Sequence, residues 1–360
     1  MIATPQARAS AYFPFIHFLE NIGASFERFL DKELVTAIAR EDHETLIPVH
    51  LAHAFLDKGA QLAGLSDFGF VVGEHARVAA LGAFGRSLLR SLTLHDALGK
   101  LRSSFALYSS AERIWWYRSD GKIYICHAYV RKTGAGSRHG QQCALLLLRD
   151  LVRLAAGPNW QPKEVLSINP LLDAAPMTEV FDGAEVRHSK FCGFAFPQEF
   201  MTLSYRFQDD AARCCEFDPK NFEASAPATD FVGSIRQVIA ALMKQGKCEL
   251  SQVANAIGIK PRTLQRRLSQ AHEEYSEVLA SLRLETAFRL MNDPGRRLID
   301  IAYELGYADP SNFTRAFRGW TGVTPSQFRQ LRKEGERIRL PRDLTCSCRE
   351  MTRRVRGGRV

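Results

Sequence analysis

Residues 250–332 carry one short pattern twice, and that duplication constrains the chain more than any other feature. The first copy is Leu250-x-x-Val253-Ala254-x-x-Ile257-Gly258-Ile259, followed by Leu264-x-Arg266-x-Leu268. The second is Leu298-x-x-Ile301-Ala302-x-x-Leu305-Gly306-Tyr307, followed by Phe313-x-Arg315-x-Phe317. Each copy predicts a short amphipathic helix, a tight turn carrying Gly, and a second amphipathic helix. This is the helix-turn-helix layout, whose second helix can lie in a DNA major groove. Two copies are too few for a solenoid, which needs three or more repeats to bury its core. A tandem pair of DNA readers is therefore expected.

The charge distribution points the same way. Residues 231–360 hold 24 Lys and Arg against 13 Asp and Glu, whereas residues 1–230 hold 24 against 26. The basic excess thus lies wholly with the repeat, where a polyphosphate partner would meet it. No secretory signal is visible, because Pro14, His17 and Glu20 interrupt the N-terminal stretch. The longest aliphatic run, Ala144 to Leu148, is far short of the ~20 residues that span a bilayer, so no membrane partner is expected. Eight cysteines without dense regular spacing fit a reducing cytoplasm better than a disulfide framework.

Residues 11–100 are mainly helical in pattern, with Leu19, Ile22, Phe26 and Phe29 at helical spacing and Thr93 capping the helix that begins His95-Asp96-Ala97-Leu98. The period then switches. Arg113–Arg118 and Ile123–Val130 are rich in aromatic and β-branched residues and flank Ser119-Asp120-Gly121-Lys122. Asp-Gly tolerates the positive φ angles of a primed turn, so a β-hairpin is predicted. A helix over 142–156, a strand over 165–168, a short helix over 177–181 and a strand over 191–196 follow. The fold class expected is an α+β N-terminal effector domain, with helices on a small sheet, plus an all-α C-terminal domain of two helix-turn-helix units joined by a linker helix. The boundaries expected are 1–208 for effector binding and dimerisation, 209–230 for a linker, 231–335 for DNA binding and 336–360 for a disordered basic tail. Within 231–335, Asp230 caps a first helix bearing Val232, Ile235, Val238 and Leu242, and residues 275–292 predict the linker helix. At 1.5 Å per residue that helix is ~25 Å long, against ~34 Å between successive major grooves on one DNA face.

In the first copy Pro261 opens the second helix, where its missing N–H matters least. Arg262, Gln265 and Arg266 fall on one face, away from Leu264 and Leu268. Arg pairs with guanine and Gln with adenine in bidentate fashion, each contact worth about 1–3 kcal/mol of discrimination. In the second copy Asp309 caps, Pro310 opens, and Ser311, Asn312 and Arg315 project outward. These six residues are the expected base readers, and Arg267 and Arg318 the expected phosphate contacts.

The segment from about Ser234 to Arg332 resembles the tandem helix-turn-helix domain of the AraC/XylS family of bacterial transcription regulators. The stretch Ile299–Tyr307 and the ending Gly322-Val323-Thr324-Pro325-Ser326-Gln327-Phe328-Arg329 look like its signature, with Phe328 where Tyr is usual. The resemblance implies base-reading positions at Arg262, Gln265 and Arg266, and at Pro310, Ser311, Asn312 and Arg315. Leu81–Gly85, Ser91–Leu98 and Gly157-Pro158-Asn159-Trp160 are similar to the effector domain of the ornithine-utilisation-type branch, not to the jelly-roll sugar domain of the arabinose regulator. A sequence-specific regulator and activator follows from the likeness, with double-stranded promoter DNA, RNA polymerase, an unknown small-molecule effector and a second copy of the chain as its partners, acting in the cytoplasm on the nucleoid. The alternative is a ligand-independent architectural DNA-binding protein whose N-terminal domain only dimerises.

No nucleophile elbow, phosphate loop or HExxH motif is present, so no catalytic residue, metal or cofactor is expected. Trp116 and His127 on the hairpin are the effector-binding candidates; Trp115, Tyr117, His50 and His53 are more simply packed or surface residues. Vicinal Cys214-Cys215 and the pair Cys346 and Cys348 lack the partners that would make a redox or metal site.

Overall fold

The computed structural model describes residues 2–23, 27–131, 134–205 and 219–333. The chain divides into two compact units, Pro5–Pro227 and Ala228–Val360 together with Met1–Thr4.

In the first unit a short antiparallel pair, β1 (Gln6–Arg8) with β2 (Leu46–Pro48), stands beside a five-stranded sheet. That sheet is built from β3 (Glu112–Ser119), β4 (Lys122–Tyr129), β5 (Glu164–Ser167), β6 (Glu185–His188) and β7 (Cys192–Pro197), in the order β3-β4-β7-β5-β6. Its pairs are antiparallel except β5 with β6. Asp120 and Gly121 close the β3–β4 hairpin at φ +49° and +70°, the two positive values a type I′ turn needs.

The helices of this unit are α1 (Phe13–Ile22), α2 (Glu27–Lys32), α3 (Leu34–Glu41), α4 (Val49–Ala63), α5 (Phe68–His75), α6 (Gly82–Leu89), α7 (Leu94–Tyr108), α8 (Ser137–Ala156), α9 (Pro170–Val180) and α10 (Pro219–Ala224). The period of two along β4 sets the packing. Ile123 and Ile125 join Phe194 and Phe196 of β7 in a core with Leu98, Leu101, Leu145 and Leu151 from α7 and α8. Tyr124 and Cys126 point the other way, to a small cluster with Leu166, Ala195, Trp115 and Phe191. At the start of α7 the Asp96 N–H donates to Thr93 Oγ1, as its sequence predicts.

Several elements differ from the periodicity. Helix α8 begins five residues before 142, and α9 runs from Pro170 where only 177–181 had a helical signal. Pro170 at its first position starts α9, and Pro176 inside it had masked the pattern. Strands β1, β2 and β6 are too short to announce themselves. Of the stretch 209–230, the structure describes residues from Pro219 on, and there Phe222 of α10 is buried in the core of the first unit. The basic tail from 336, Cys214-Cys215 and the Cys346 and Cys348 pair lie outside the described residues. Among the described residues no helix is long and apolar enough to cross a membrane.

The second unit is α11 (Phe231–Met243), α12 (Leu250–Ala256), α13 (Pro261–Gln270), α14 (Tyr275–Leu290), α15 (Leu298–Glu304), α16 (Pro310–Thr321) and α17 (Pro325–Lys333). The first residues of the chain belong with it: Ile2 bridges to Asp230, and the Thr4 N–H donates to Ser234 Oγ at 2.9 Å.

Candidate DNA-binding site

The two copies of the repeat fold alike, beginning with the turn. Gly258 and Gly306 both take φ +72°. In each case the next N–H, from Ile259 or Tyr307, donates to the carbonyl five residues back, Ala254 or Ala302, at 3.0 Å. This closure of a helix end requires a left-handed residue, which glycine adopts without a Cβ penalty. The second turn carries one extra residue, Ala308, so the offset between copies grows from 48 at the glycines to 49 at Pro261 and Pro310. A Cβ on Gly306 would meet the Met243 carbonyl oxygen at 2.9 Å and Cys248 Sγ at 3.2 Å. Gly306→Ala is therefore expected to destabilise this unit by at least about 1–2 kcal/mol. Gly319, on α16 with open space around it, supplies the contrast: Gly319→Ala should raise stability by about 0.5–1 kcal/mol in the same thermal unfolding measurement.

The first helix of each pair is held at its start. The Glu249 side chain accepts the third amide of α12 while its own N–H donates to Gln252 Oε1 at 3.0 Å, a reciprocal capping box. At α15, Arg297 donates to both oxygens of Asp300 at 2.9 Å. The second helices start on proline and bury a narrow stripe, Leu264 and Leu268 on α13 and Phe313 and Phe317 on α16. The Ser311 N–H donates to Asp309 Oδ1 at 2.8 Å, fixing the start of α16.

What those helices leave to solvent is the functional question. Arg262, Gln265 and Arg266 are exposed on α13; Ser311, Asn312, Arg315 and Arg318 are exposed on α16. Arg315 donates to Asn312 one turn back, so two polar groups of α16 already meet. Arg267 departs from the rest: it is half-buried, with its guanidinium carbon 5.7 Å from the centre of the Phe231 ring on α11.

Helix α14 joins the copies. With 16 residues it is ~24 Å long, and Arg236 of α11 pairs with its Glu285 at 2.7 Å. Its Arg283 donates to the Leu305 carbonyl at 3.0 Å and to Cys248 Sγ at 3.1 Å, and its guanidinium carbon stacks 4.2 Å from the centre of the Tyr307 ring. One side chain thus pins the linker helix to the turn of the second copy and to the residue that precedes the first. Leu305 and Tyr307 belong to the repeated pattern, but the pin itself carries no periodic signal, since an Arg on a polar helix face looks like any other.

A helix-turn-helix domain model matches residues 253–331. A second family model, the N-terminal arabinose-binding domain of AraC transcription regulators, matches residues 23–204, half of the chain. The chain belongs to the AraC family of transcription regulators. It is 26% identical over 273 residues to the ornithine utilization regulator of Pseudomonas aeruginosa, covering 75% of this chain and 80% of that one. It is 27% identical over 327 residues to the HTH-type transcriptional regulator VirS of Mycobacterium tuberculosis, covering 89% and 96%. The solved structure of the transcriptional regulator CdpR from P. aeruginosa aligns at 24% identity and TM-score 0.35, over 73% of this chain and 86% of that one. This AraC-family chain is thus a DNA-binding transcription regulator, and the relatives it matches are regulators rather than enzymes.

The first unit of this AraC-family protein has helices on a five-stranded mixed sheet. Of the two residues the sequence offered for an effector, His127 is fully buried and bonds through Nε2 to Glu112 Oε2 at 2.9 Å. Trp116 packs half-buried against the main core, with its ring near His95. Neither lines the pocket between the sheet and its helical layer, whereas Glu112 does.

Proposed function

We propose that this protein reads two adjacent major grooves of promoter DNA through α13 and α16, and that a small molecule bound by the N-terminal unit sets its affinity or its contact with RNA polymerase. The observation that carries the reading is the duplication in three dimensions: two proline-started helices, each burying one apolar stripe and presenting arginines with amide or hydroxyl side chains to solvent. Arg262, Gln265 and Arg266 read bases in one groove; Ser311, Asn312 and Arg315 read them in the next, and Arg318 holds phosphate. Arg267 adds charge near the backbone while its stem braces α11. The protein works in the cytoplasm on the nucleoid, with a second copy of the chain as its partner.

Selection of binding sites from random duplexes by the full chain tests this. Arg266→Ala and Arg315→Ala are each expected to flatten preference at one groove, by about 1–3 kcal/mol per contacted base pair. Arg318→Ala should weaken all sequences alike and reduce the salt slope by about one. An unchanged motif in both base-reading variants would show that other faces of the helices meet DNA. For the effector, a metabolite screen by thermal shift, with ornithine included because one relative is named for its utilisation, is expected to find a compound that raises the melting temperature and changes promoter affinity.

A further inference from the structure

The N-terminal unit holds a partly open pocket of about 70 Å³ between the sheet and its helical layer. Most of its wall is aliphatic and aromatic, including Leu88, Leu101, Leu147 and Leu151. Its polar atoms gather around one side chain. Glu112 lines the cavity with Tyr12, Tyr108, Tyr129 and Cys143, and its charge acts on all four. Burial first, and Glu112 with it, holds the Tyr12 and Tyr129 phenols well above the usual range and pushes the Cys143 thiol up to about 12, so these groups are neutral.

The Glu112 carboxyl is anchored from behind, by His127 Nε2 at 2.9 Å and by Ser109 Oγ, which donates at 3.2 Å. A carboxyl has about four lone-pair sites, so it can accept more. Tyr12 is 5% exposed, and neither its hydroxyl nor that of Tyr129 has a hydrogen-bond partner among the described residues. Gly140 makes room for the second of these, since a Cβ there would stand 2.3 Å from the Tyr129 hydroxyl. None of the described lining residues is Lys, Arg or His. Arg8, whose charge reaches Tyr108, is already committed to Glu44, Leu107, Phe222 and Ser225.

We propose that this cavity is the effector site and that it takes a short aliphatic primary ammonium, with the head at Glu112 and the chain among the leucines. The assignment rests on effector control by the N-terminal unit. An ammonium has three donors for the carboxyl and the two free phenol oxygens, and the carboxyl offsets the cost of burying its charge. An anionic head would face the Glu112 carboxyl with no Lys or Arg on the wall to balance it. A sugar would leave hydroxyls unpaired against leucine. The volume is about half of the ~150 Å³ that accepts one benzene ring, which leaves room for about three heavy atoms, the size of ethylammonium. The signal has a short route outward. Phe84, on the cavity wall, stacks on Tyr108 at 4.7 Å and on Phe222 of α10 at 6.3 Å, so filling the cavity presses on the last helix before Pro227.

Thermal unfolding of the full chain with ethylammonium, ethanol, acetate and arabinose tests the assignment. Ethylammonium at saturating millimolar concentration is expected to raise Tm by about 2–4 °C and the other three to leave it unmoved. Glu112→Gln should abolish the shift. Because that variant also loosens His127, Ala144→Leu provides the second arm. It fills the cavity from α8 with a good helix former, and should lose the shift while keeping the basal Tm. No shift with ethylammonium, an equal shift with acetate or ethanol, or a shift that survives Ala144→Leu would overturn the proposal. An effector of another chemical class found by the metabolite screen would do so too while leaving effector control intact; effector control itself fails only if no compound alters promoter binding.

Discussion

Arg8→Ala is expected to destabilise the N-terminal unit by about 3–5 kcal/mol, the scale for breaking a buried, hydrogen-bonded ion pair from one side. Arg8 is fully buried. Its guanidinium donates to the Leu107 carbonyl at 3.2 Å, the Glu44 carbonyl at 3.1 Å, the Phe222 carbonyl at 2.8 Å and Ser225 Oγ at 3.2 Å, and pairs with Glu44 Oε2 at 3.3 Å. The Phe222 ring lies 3.9 Å from its central carbon. Burial draws its pKa down and Glu44 draws it back up, so the pair persists through the physiological range. Alanine leaves several carbonyls and a carboxylate buried without their donor, and removes the clamp that seats α10. In urea the midpoint of this unit should fall by about 1–2 M. Arg8→Lys should recover only a part, since one ammonium cannot span a fork of acceptors. A midpoint that did not move would mean that water replaces the guanidinium.

Phe317→Ala should be as costly in the second unit, about 3–5 kcal/mol for an aromatic ring removed from a core. Phe317 is fully buried among Phe288 at 6.0 Å, Phe313 at 5.7 Å and Phe328 at 5.5 Å between ring centres. These rings seat α16 on α14 and α17. Their loss should erase preference in the second groove while the first groove keeps its motif, a result read from selected binding sites beside a denaturation curve. Arg315→Ala would differ in kind, losing preference with stability intact. If Phe317→Ala kept both half-motifs, α16 would not be a reader.

The features legible in the sequence are those whose cause is local. Asp120-Gly121 makes its turn, Thr93, Asp230 and Asp309 cap their helices, and Gly258 and Gly306 take the angle that only their neighbours demand. The α13 and α16 faces followed because 3.6-residue periodicity divides buried from exposed without knowledge of the partner. What escaped depends on residues far apart in the chain. Arg8 gathers acceptors 36, 99 and 214 positions away. Glu112 becomes the polar centre of a pocket because strands β3 and β4 set it beside His127, while Tyr12, just before α1, and helix α8 line the same pocket. No window of sequence contains that set. Arg283 is hidden likewise, on a helix whose outward charges look alike until the turn at Leu305–Tyr307 folds against one of them.

The bridge from Ile2 to Asp230 and the Thr4 amide on Ser234 assign the opening tetrapeptide to the DNA-binding unit, although the bulk of that unit lies more than two hundred residues downstream. A truncation starting at Ala228 therefore omits a piece of its own fold. Lower melting in such a fragment would report the missing bridge and amide bond, and adding the four residues back as a peptide or fusion would restore it without any sensor present.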